Sequence, residues 1–241
     1  MIDGAVIAVV VPAFREAERI GAVVHGMPAY VDHVVVVDDA SDDESGARAR
    51  AARGDVDVIR HDRNRGVGAA IATGYRRALD RGADVIAVMA GDGQMDPRDL
   101  RALIEPVLGG AAYAKGNRLR HPDVWRTMPR ERLFGSLVLS KLTSWAAGVP
   151  IEDSQCGYTA IAARAVARLD LDALFPRYGY PNDLIGMIAR EELAIVEVPV
   201  RPIYRGEPSG MRPWHVLTIG GLIARVAWRR LLDRRTPAPV S

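Results

Sequence analysis

The sequence predicts an α/β fold in which a mostly parallel central sheet carries helices on both faces. Short apolar runs rich in Val and Ile alternate with segments that place apolar residues at helical spacing. Strands that alternate with helices favour parallel pairing through right-handed crossovers. The runs are continuously apolar, as is typical of parallel strands buried on both faces. A chain of 241 residues is long enough for one such domain with a sizeable core.

The first half of the chain contains four predicted strands, each followed by a predicted helix. Apolar, β-branched runs place the strands at residues 5–11, 34–37, 56–59 and 85–89. Helical spacing and helix-start signals place the helices at residues 15–27, 41–53, 64–81 and 97–107. Among these signals, Asp96 is a suitable N-cap for a helix that begins at Pro97.

The second half is less regular. We predict a strand at residues 111–114, a polar Arg-rich loop at 119–132, an apolar helix at 133–147, an apolar run at 159–162, a helix at 182–190, a strand at 194–198, a basic loop at 201–212 and a last helix at 215–233. We expect residues 1–212 to form the main domain. Residues 213–241 then form a C-terminal amphipathic helix and tail, which belong to the same domain or contact a membrane or a partner.

Composition and charge exclude several classes of protein. The formal net charge of +2 gives no strong field for binding nucleic acid. The single cysteine, Cys156, excludes an intrachain disulfide and a multi-cysteine metal site. No signal peptide is visible, and no window reaches the roughly 20 apolar residues that a membrane span needs. We therefore expect a cytoplasmic protein, or one that lies peripherally on the cytoplasmic face of the membrane.

The fourth predicted strand ends in a turn that can hold a metal ion. Gly91-Asp92-Gly93-Gln94 follows the apolar run directly, where open α/β sheets bind their ligands. The carboxylate of Asp92 and the amide oxygen of Gln94 are hard ligands that suit Mg²⁺ or Mn²⁺ together with substrate phosphates. The alternative is an acidic turn that only caps the helix beginning at Pro97.

Two further strand ends and one turn point to the same edge of the sheet. Pro12–Glu16 follows the first strand and Asp38-Asp39 the second. Asp38 can hydrogen-bond a base or ribose, whereas Asp39 serves equally well to hold the turn. Gly66-Val67-Gly68 presents helix amides to a phosphate or merely forms a tight turn. It does not match the Walker A pattern, and the first strand lacks a dinucleotide fingerprint.

Seven segments in this order resemble the inverting GT-A glycosyltransferases of family 2. The nearest subgroup transfers sugar from a nucleotide to a polyprenyl or dolichyl phosphate. The segments that carry the resemblance are VVVPAFREAERI, VVVDDASDDES, RNRGVGAAIATGYRRA, AGDGQMDP, KGNR, EDSQCGY and EVPVRPIYRGEPSG. The resemblance covers roughly residues 5–210 and implies a GT-A, Rossmann-like fold and a nucleotide-diphosphate sugar as donor.

The resemblance also implies roles for individual residues. It assigns nucleotide-sugar binding to Pro12, Ala13, Glu16, Asp38, Asp39, Gly66, Gly91, Asp92 and Arg118. Asp92 and Gln94 would hold Mg²⁺ or Mn²⁺, and Arg118 and Arg205 would face the donor phosphates. Asp153 lies on the acceptor side. It is a candidate general base for a hydroxyl acceptor, a positioning group for a lipid phosphate, or a structural contact to the Gly157 turn.

The sequence departs from the family pattern at two places. Ala90 replaces the first carboxylate of the metal-binding DxD motif, so that metal binding rests on Asp92, Gln94 and the donor diphosphate. The loop near residue 209 continues as Ser209-Gly210-Met211 rather than Ser-Lys, which leaves Arg205 and Arg212 as its cations.

Several alternatives stay open from the sequence. Four aromatic residues either line a sugar or lipid pocket or pack in the core or on the surface: Tyr158, Tyr178, Tyr180 and Trp214. The last helix, with its apolar stripe and arginines, anchors the protein at a membrane, packs on the body or forms a homo-oligomer. The acceptor is a polyprenyl phosphate or a soluble or glycan hydroxyl. Two rival functions also stay open. A nucleotidyltransferase would need a Gly-rich, Lys-containing loop near the first strand, and this sequence does not supply one. An inactive sugar-nucleotide-binding protein is compatible with Ala90 in place of the first DxD carboxylate.

Overall fold

The computed structural model describes residues 1–204 and 213–233. Its strands are β1 (Ile7–Ala13), β2 (His33–Asp38), β3 (Asp57–Arg60), β4 (Val85–Val88), β5 (Tyr113–Asn117), β6 (Thr159–Ala162) and β7 (Ile195–Pro199). Its helices are α1 (Ile20–His25), α2 (Ser45–Ala52), α3 (Val67–Asp80), α4 (Leu100–Leu108), α5 (Val124–Thr127), α6 (Arg130–Ala147), α7 (Ala163–Val166), α8 (Tyr180–Arg190) and α9 (Pro213–Asp233). A single 3₁₀ turn at Pro97–Asp99 leads into α4.

The described strands form one seven-stranded sheet in the order β3-β2-β1-β4-β6-β5-β7. β1 pairs in parallel with β2 and β4, β2 with β3, and β5 with β7. β6 runs antiparallel between β4 and β5. The predicted mostly parallel sheet is therefore confirmed. Because β1, β2 and β4 are parallel neighbours, their carboxyl ends lie along one edge of the sheet, as the sequence predicts.

Burial of the apolar strands explains why these segments form the centre of the fold. Every residue of β1 and β4 is buried, and helices α3 and α4 pack against the sheet. Gly74 of α3 lets that helix approach β1 closely, since a Cβ at this position would lie 2.2 Å from Cγ1 of Val10. The continuous apolar runs thus become strands that are covered on both faces.

The first predicted helix is shorter than expected. The sequence predicts it over residues 15–27, yet α1 begins at Ile20. The amides of residues 15–17 are instead bound by side chains from the segment after β2: Arg15 N donates to Ser41 Oγ (3.0 Å), Glu16 N to Ser45 Oγ (2.7 Å) and Ala17 N to Asp43 Oδ2 (3.2 Å). These tertiary hydrogen bonds replace the first turns of the helix, and Arg15 adopts a positive φ of 59°.

The stretch after β4 also differs in detail. Asp96 caps the turn at Pro97 as predicted, with its side chain accepting from Arg98 N at 3.0 Å. The strand predicted at residues 111–114 is shifted and extends to Asn117, so Lys115 is fully buried inside β5. The loop predicted at residues 119–132 contains the short helix α5, and α6 begins at Arg130 within it.

Of the three uses that the sequence leaves open for the last helix, the described residues of α9 show packing on the body. Ile219, Leu222, Ile223 and Val226 are buried, and α9 contacts both α6 and α8. Arg225 Nη2 lies 2.5 Å from Asp183 Oδ2, whose side chain has no exposed surface. Much of the predicted apolar stripe is thus unavailable to a membrane. Within the described residues, no helix combines the length and the apolar character needed to cross a bilayer.

Candidate active site

The edge formed by β1, β2 and β4 is tied together by backbone hydrogen bonds. Asp39 N donates to Ala13 O at 2.9 Å, and Gly91 N donates to Pro12 O at 3.1 Å. Gly91 is closely packed, because a Cβ at this position would lie 2.9 Å from Ile20 Cδ1 and would require that side chain to shift. The structure therefore brings the predicted Pro12–Glu16, Asp38-Asp39 and Gly91-Asp92 segments into one region.

Asp38 is completely buried at the end of β2. Its Oδ1 accepts from Ser41 N at 2.9 Å, and its Oδ2 accepts from Arg60 Nη1 at 2.7 Å. Both carboxylate oxygens thus have partners within the protein. The contact of Asp38 with a base stays a prediction.

Asp39 holds the turn that precedes α3. Its carboxylate accepts from Arg65 N (2.8 Å) and Gly66 N (2.7 Å) and lies 2.7 Å from His61 Nδ1. Gly66 has a φ of 96°, and a Cβ there would lie 2.4 Å from Pro176 O. This geometry matches the turn-holding alternative for Asp39, whereas its binding of a nucleotide stays a prediction.

A cleft of ≈ 230 Å³ lies beside this edge. Its described lining includes Asp92, Gln94, Arg118, Tyr178, Arg201 and Tyr204, together with Cys156-Gly157-Tyr158. The structure thus unites Asp92, Gln94 and Arg118, which the sequence selects from two separate segments. Tyr158 and Tyr178 also line the cleft. Tyr180 is absent from its described lining, and Arg205, Arg212 and the side chain of Trp214 lie outside the described residues.

Asp92 is the acid among the described residues that line the cleft. Its Oδ1 accepts from Gln94 N at 2.9 Å, which folds the turn after β4. Burial raises the pKa of the nearby Glu16 carboxyl, and the charge of Asp92 adds to that rise. Within the described residues, no cluster of three or more His, Cys, Asp or Glu side chains is arranged to hold a metal ion. A single carboxylate does fit a Mg²⁺ ion whose other ligands are water and substrate phosphates.

Arg118 and Asp153 form the central ion pair of the site. Asp153 Oδ2 accepts from Arg118 Nε at 2.8 Å and from Arg118 N at 3.0 Å, and Oδ1 accepts from Nη2 at 2.9 Å. Although burial alone would raise the pKa of Asp153, the charge and hydrogen bonds of Arg118 hold it below its ordinary value. A carboxyl with a lowered pKa and no exposed side-chain surface is a poor general base. The geometry instead makes Asp153 the group that orients Arg118.

Two groups to which the sequence analysis assigns no role, the partly buried Glu197 and the fully buried Lys115, support this pair. Glu197 of β7 accepts from Asp153 N (2.9 Å, Oε1) and from Glu152 N (2.9 Å, Oε2), which fixes the backbone of the 152–153 turn. Lys115 donates to Cys156 O, and burial lowers the pKa of its ammonium group. Lys115 and Glu197 are the first residues of the family segments KGNR and EVPVRPIYRGEPSG, respectively, but the sequence gives no further signal for their roles.

The mouth of the cleft combines two arginines from the sequence motifs, Arg118 and Arg201, with a third, Arg132, that lies outside them. Arg118 Nη1 donates to the hydroxyl of Tyr204 at 3.1 Å, and the guanidinium of Arg132 lies 5.1 Å from the centroid of the Tyr204 ring. Arg201 Nη1 donates to Asp96 Oδ2 at 2.9 Å. Arg132 comes from the stretch predicted as a loop, so its position beside the cleft follows only from the fold of α6.

Comparison with known proteins identifies the family. Residues 8–168 match the family described as glycosyl transferase family 2. The UDP-N-acetylglucosamine–dolichyl-phosphate N-acetylglucosaminyltransferase of Methanococcus voltae is 29% identical over 215 residues, which cover 82% of this chain and 86% of that protein. The polyprenol monophosphomannose synthase of Mycolicibacterium smegmatis is 32% identical over 201 residues, which cover 80% of this chain and 75% of that protein.

Solved structures show the same fold. The glucosyl-3-phosphoglycerate synthase of Mycobacterium tuberculosis in complex with UDP matches with a TM-score of 0.71 and 20% identity, covering 93% of this chain and 81% of that one. Its complex with Mn²⁺, UDP and glucosyl-3-phosphoglycerate matches with a TM-score of 0.63 and 19% identity, covering 98% and 82%. The resemblance found in the sequence is therefore confirmed: the chain belongs to glycosyl transferase family 2 and is a glycosyltransferase with a GT-A fold.

Proposed function

We propose that this glycosyltransferase moves a sugar, with inversion, from a nucleotide-diphosphate sugar to a polyprenyl phosphate. The observation that supports this proposal most directly is the excess of cations over carboxylates among the described residues that line the cleft. Among the described lining residues, Arg118 and Arg201 are the cations and Asp92 is the sole carboxylate. Asp153 is engaged by Arg118 and has a lowered pKa. An anionic phosphate acceptor suits such a site, since cations attract it and it needs no general base to remove a proton.

The named activities of two relatives support the same class of acceptor. The Methanococcus enzyme is named for transfer to dolichyl phosphate, and the Mycolicibacterium enzyme for making polyprenol monophosphomannose. The structural neighbour is named for a product that is not a lipid, glucosyl-3-phosphoglycerate. Its low identity supports the fold alone, and a soluble hydroxyl acceptor therefore remains the competing outcome of the experiment below.

The reaction is a single displacement at the anomeric carbon of the sugar. An oxygen of the acceptor phosphate forms the new bond to that carbon while the bond to the donor diphosphate breaks, and a nucleoside diphosphate leaves. Arg118, held at Nε and Nη2 by Asp153, stabilises the charge that grows on the leaving group. Arg205, which lies outside the described residues, would add a second cation.

A divalent cation, Mg²⁺ or Mn²⁺, fits the donor side of the cleft. Asp92 and Gln94 would hold it, with the donor diphosphate supplying further ligands. When bound, such a cation neutralises charge on the leaving diphosphate. Because Asp92 is the sole carboxylate among the described lining residues, the protein alone should hold the ion weakly and the donor complex should hold it better.

The nucleotide would lie along the edge of β1, β2 and β4. The residues proposed to bind it are Pro12, Ala13, Glu16, Asp38, Asp39, Gly66 and Gly91, together with Asp92 and Arg118 at the cleft. The hydrogen bonds from Asp39 N to Ala13 O and from Gly91 N to Pro12 O support this assignment, since they hold three of the strand ends together.

The test offers the full chain a panel of nucleotide sugars with three kinds of acceptor. These are a short-chain, water-soluble polyprenyl phosphate, a sugar hydroxyl and no acceptor. We expect transfer to the phosphate, release of a nucleoside diphosphate, and inverted configuration in the product. Exclusive transfer to the hydroxyl would overturn the acceptor, and release of pyrophosphate would indicate a nucleotidyltransferase. Donor binding without turnover under any condition would indicate a binding protein.

A further inference from the structure

Helix α6 presents its large apolar side chains to solvent. Phe134 and Trp145 are 71% and 70% exposed, and Leu137, Val138 and Leu142 are each at least 40% exposed. Their spacing of three and four residues places them on one stripe, which extends over about 16 Å of helix at 1.5 Å per residue. We call these five residues the α6 stripe. A contiguous apolar surface of this kind on a folded chain marks a contact site.

The opposite face of α6 combines hydroxyl groups with apolar side chains: Leu139, Ala146 and Ala147 join a buried apolar cluster with residues of α8 and α9. Ser136, Ser140 and Thr143 are buried. Ser140 Oγ accepts from Ser154 N at 2.9 Å, and Thr143 Oγ1 donates to Asn182 Oδ1 at 2.8 Å. The helix is therefore oriented by polar contacts and by Leu139, Ala146 and Ala147, whereas its larger apolar side chains, Phe134 and Trp145 among them, face outward although such residues normally enter a core. This inversion indicates that something apolar covers the stripe.

Charge identifies the covering surface. Residues 124–147 contain four cations and one acid, whereas the whole chain has a formal net charge of only +2. Lys141 lies exposed within the α6 stripe. Two such faces would repel each other in a homodimer, while a surface of anionic lipids attracts them. Exposed tryptophans, Trp145 here and Trp125 on the preceding α5, are typical of the bilayer interface.

The position of the stripe relative to the cleft gives this surface a function. Arg132 lies two residues before Phe134, and its guanidinium packs on the ring of Tyr204, which lines the cleft. Tyr204 is in turn bonded to Arg118. We propose that the α6 stripe binds the interface of an anionic bilayer, so that an acceptor lipid remains in the membrane while its phosphate meets the cleft beside Arg132. This inference rests on the proposed lipid-phosphate acceptor.

The experiment measures sedimentation of the full chain with vesicles that contain no acceptor. The vesicles are phosphatidylcholine alone and phosphatidylcholine mixed with phosphatidylglycerol. The double variant Phe134→Ser with Trp145→Ser tests the stripe, and Leu217→Ser with Leu231→Ser, both exposed on α9, is the matched control. We expect the α6 variant to lower the partition coefficient about tenfold or more, because two large apolar side chains lose their burial. The α9 variant should change it much less.

A second pair of variants tests the charge. Lys141→Glu and Arg48→Glu change the net charge equally, but Arg48 lies on α2. We expect Lys141→Glu to weaken binding to the anionic vesicles about fivefold for each unit of charge lost, and Arg48→Glu to weaken it far less. Equal effects of the two substitutions would show attraction by net charge alone and would contradict a localised surface.

Three outcomes would overturn the proposal. These are failure of the wild-type chain to bind anionic vesicles, loss of binding in the α9 variant rather than the α6 variant, and conversion of a dimer to a monomer by the α6 substitutions. Equal melting temperatures show that the variants fold. Transfer to the short water-soluble acceptor separates this inference from the proposed function, because the α6 variant should retain that transfer and lose transfer to vesicle-bound acceptor. Failure of the wild type with the soluble acceptor would instead reject the function.

Discussion

Replacement of Asp153 by Asn distinguishes a residue that positions Arg118 from one that removes a proton. Asp153 accepts three hydrogen bonds from Arg118, at 2.8, 2.9 and 3.0 Å, and its side chain has no exposed surface. Asn keeps the size but removes the charge and turns one acceptor into a donor that faces a guanidinium. Breaking one side of a buried ion pair costs about 3–5 kcal/mol of folding free energy. At about 2–4 °C per kcal/mol for a chain of this size, the melting temperature should fall by about 6–20 °C.

The pH dependence of stability checks the same pair. Since Arg118 holds the pKa of Asp153 below its ordinary value, the pair stabilises the fold above the unfolded-state pKa of about 4. This stabilisation is lost as the pH falls through the lower folded-state pKa. The wild type should therefore lose it only in acid, and Asp153→Asn should lie below the wild type at neutral pH and approach it in acid.

Activity assays decide between the two roles. An Arg118 that loses its orientation should lose about 1.5–3 kcal/mol of interaction with the donor diphosphate, or roughly tenfold to 150-fold in turnover. Arg118→Lys should have a similar effect, and the double variant should be little worse than either single variant. A variant with unchanged melting temperature and donor affinity, but with no turnover and an altered pH–rate profile, would refute the positioning role and make Asp153 the base.

Three other substitutions test the donor side and the turn before α3. Asp38→Ala should weaken nucleoside diphosphate binding by about 1.5–3 kcal/mol in calorimetry, and unchanged affinity would remove Asp38 from the site. Asp92→Asn should abolish transfer in the presence of Mg²⁺ or Mn²⁺, and full wild-type activity in EDTA would contradict a metal-dependent reaction. Gly66→Ala should lower the melting temperature more than Gly82→Ala: both have positive φ, but a Cβ at Gly66 would lie 2.4 Å from Pro176 O and one at Gly82 meets nothing within 4 Å.

The sequence predicts the sheet well because its strands are buried on both faces. Continuous runs such as those of β1 and β4 have few other stable arrangements, and strand–helix alternation limits their topology. The boundaries are less predictable where distant side chains bind the backbone. The amides of Arg15 and Glu16, for example, are captured by Ser41 and Ser45, 26 and 29 residues away, and no local helical signal contains that information.

The same limit applies to the site. The carboxyl end of β4 identifies Asp92, and a family motif identifies Arg118. That both side chains line the same cleft is seen only in the folded structure. The pairing of Arg118 with Asp153 joins two motifs that are 35 residues apart. Tyr204 and Glu197 lie in the last of the family segments, but their roles depend on partners that are distant in the sequence: Arg118 and Arg132 for Tyr204, and the 152–153 backbone for Glu197.

Helix α6 shows why apolar residues in a sequence do not by themselves identify a core. The sequence predicts an apolar helix at this place, and the usual expectation is that its large side chains enter the interior. The inner face of α6 instead uses Leu139, Ala146 and Ala147 to pack on α8 and α9. Its hydroxyl groups bind the neighbouring loop: Ser144 Oγ accepts from Ile151 N at 2.8 Å, and Ser140 Oγ accepts from Ser154 N at 2.9 Å. These contacts hold the loop that carries Asp153. One helix therefore supports the loop that orients Arg118 through the hydroxyl groups of its inner face, and leaves its largest apolar side chains for a contact outside the chain.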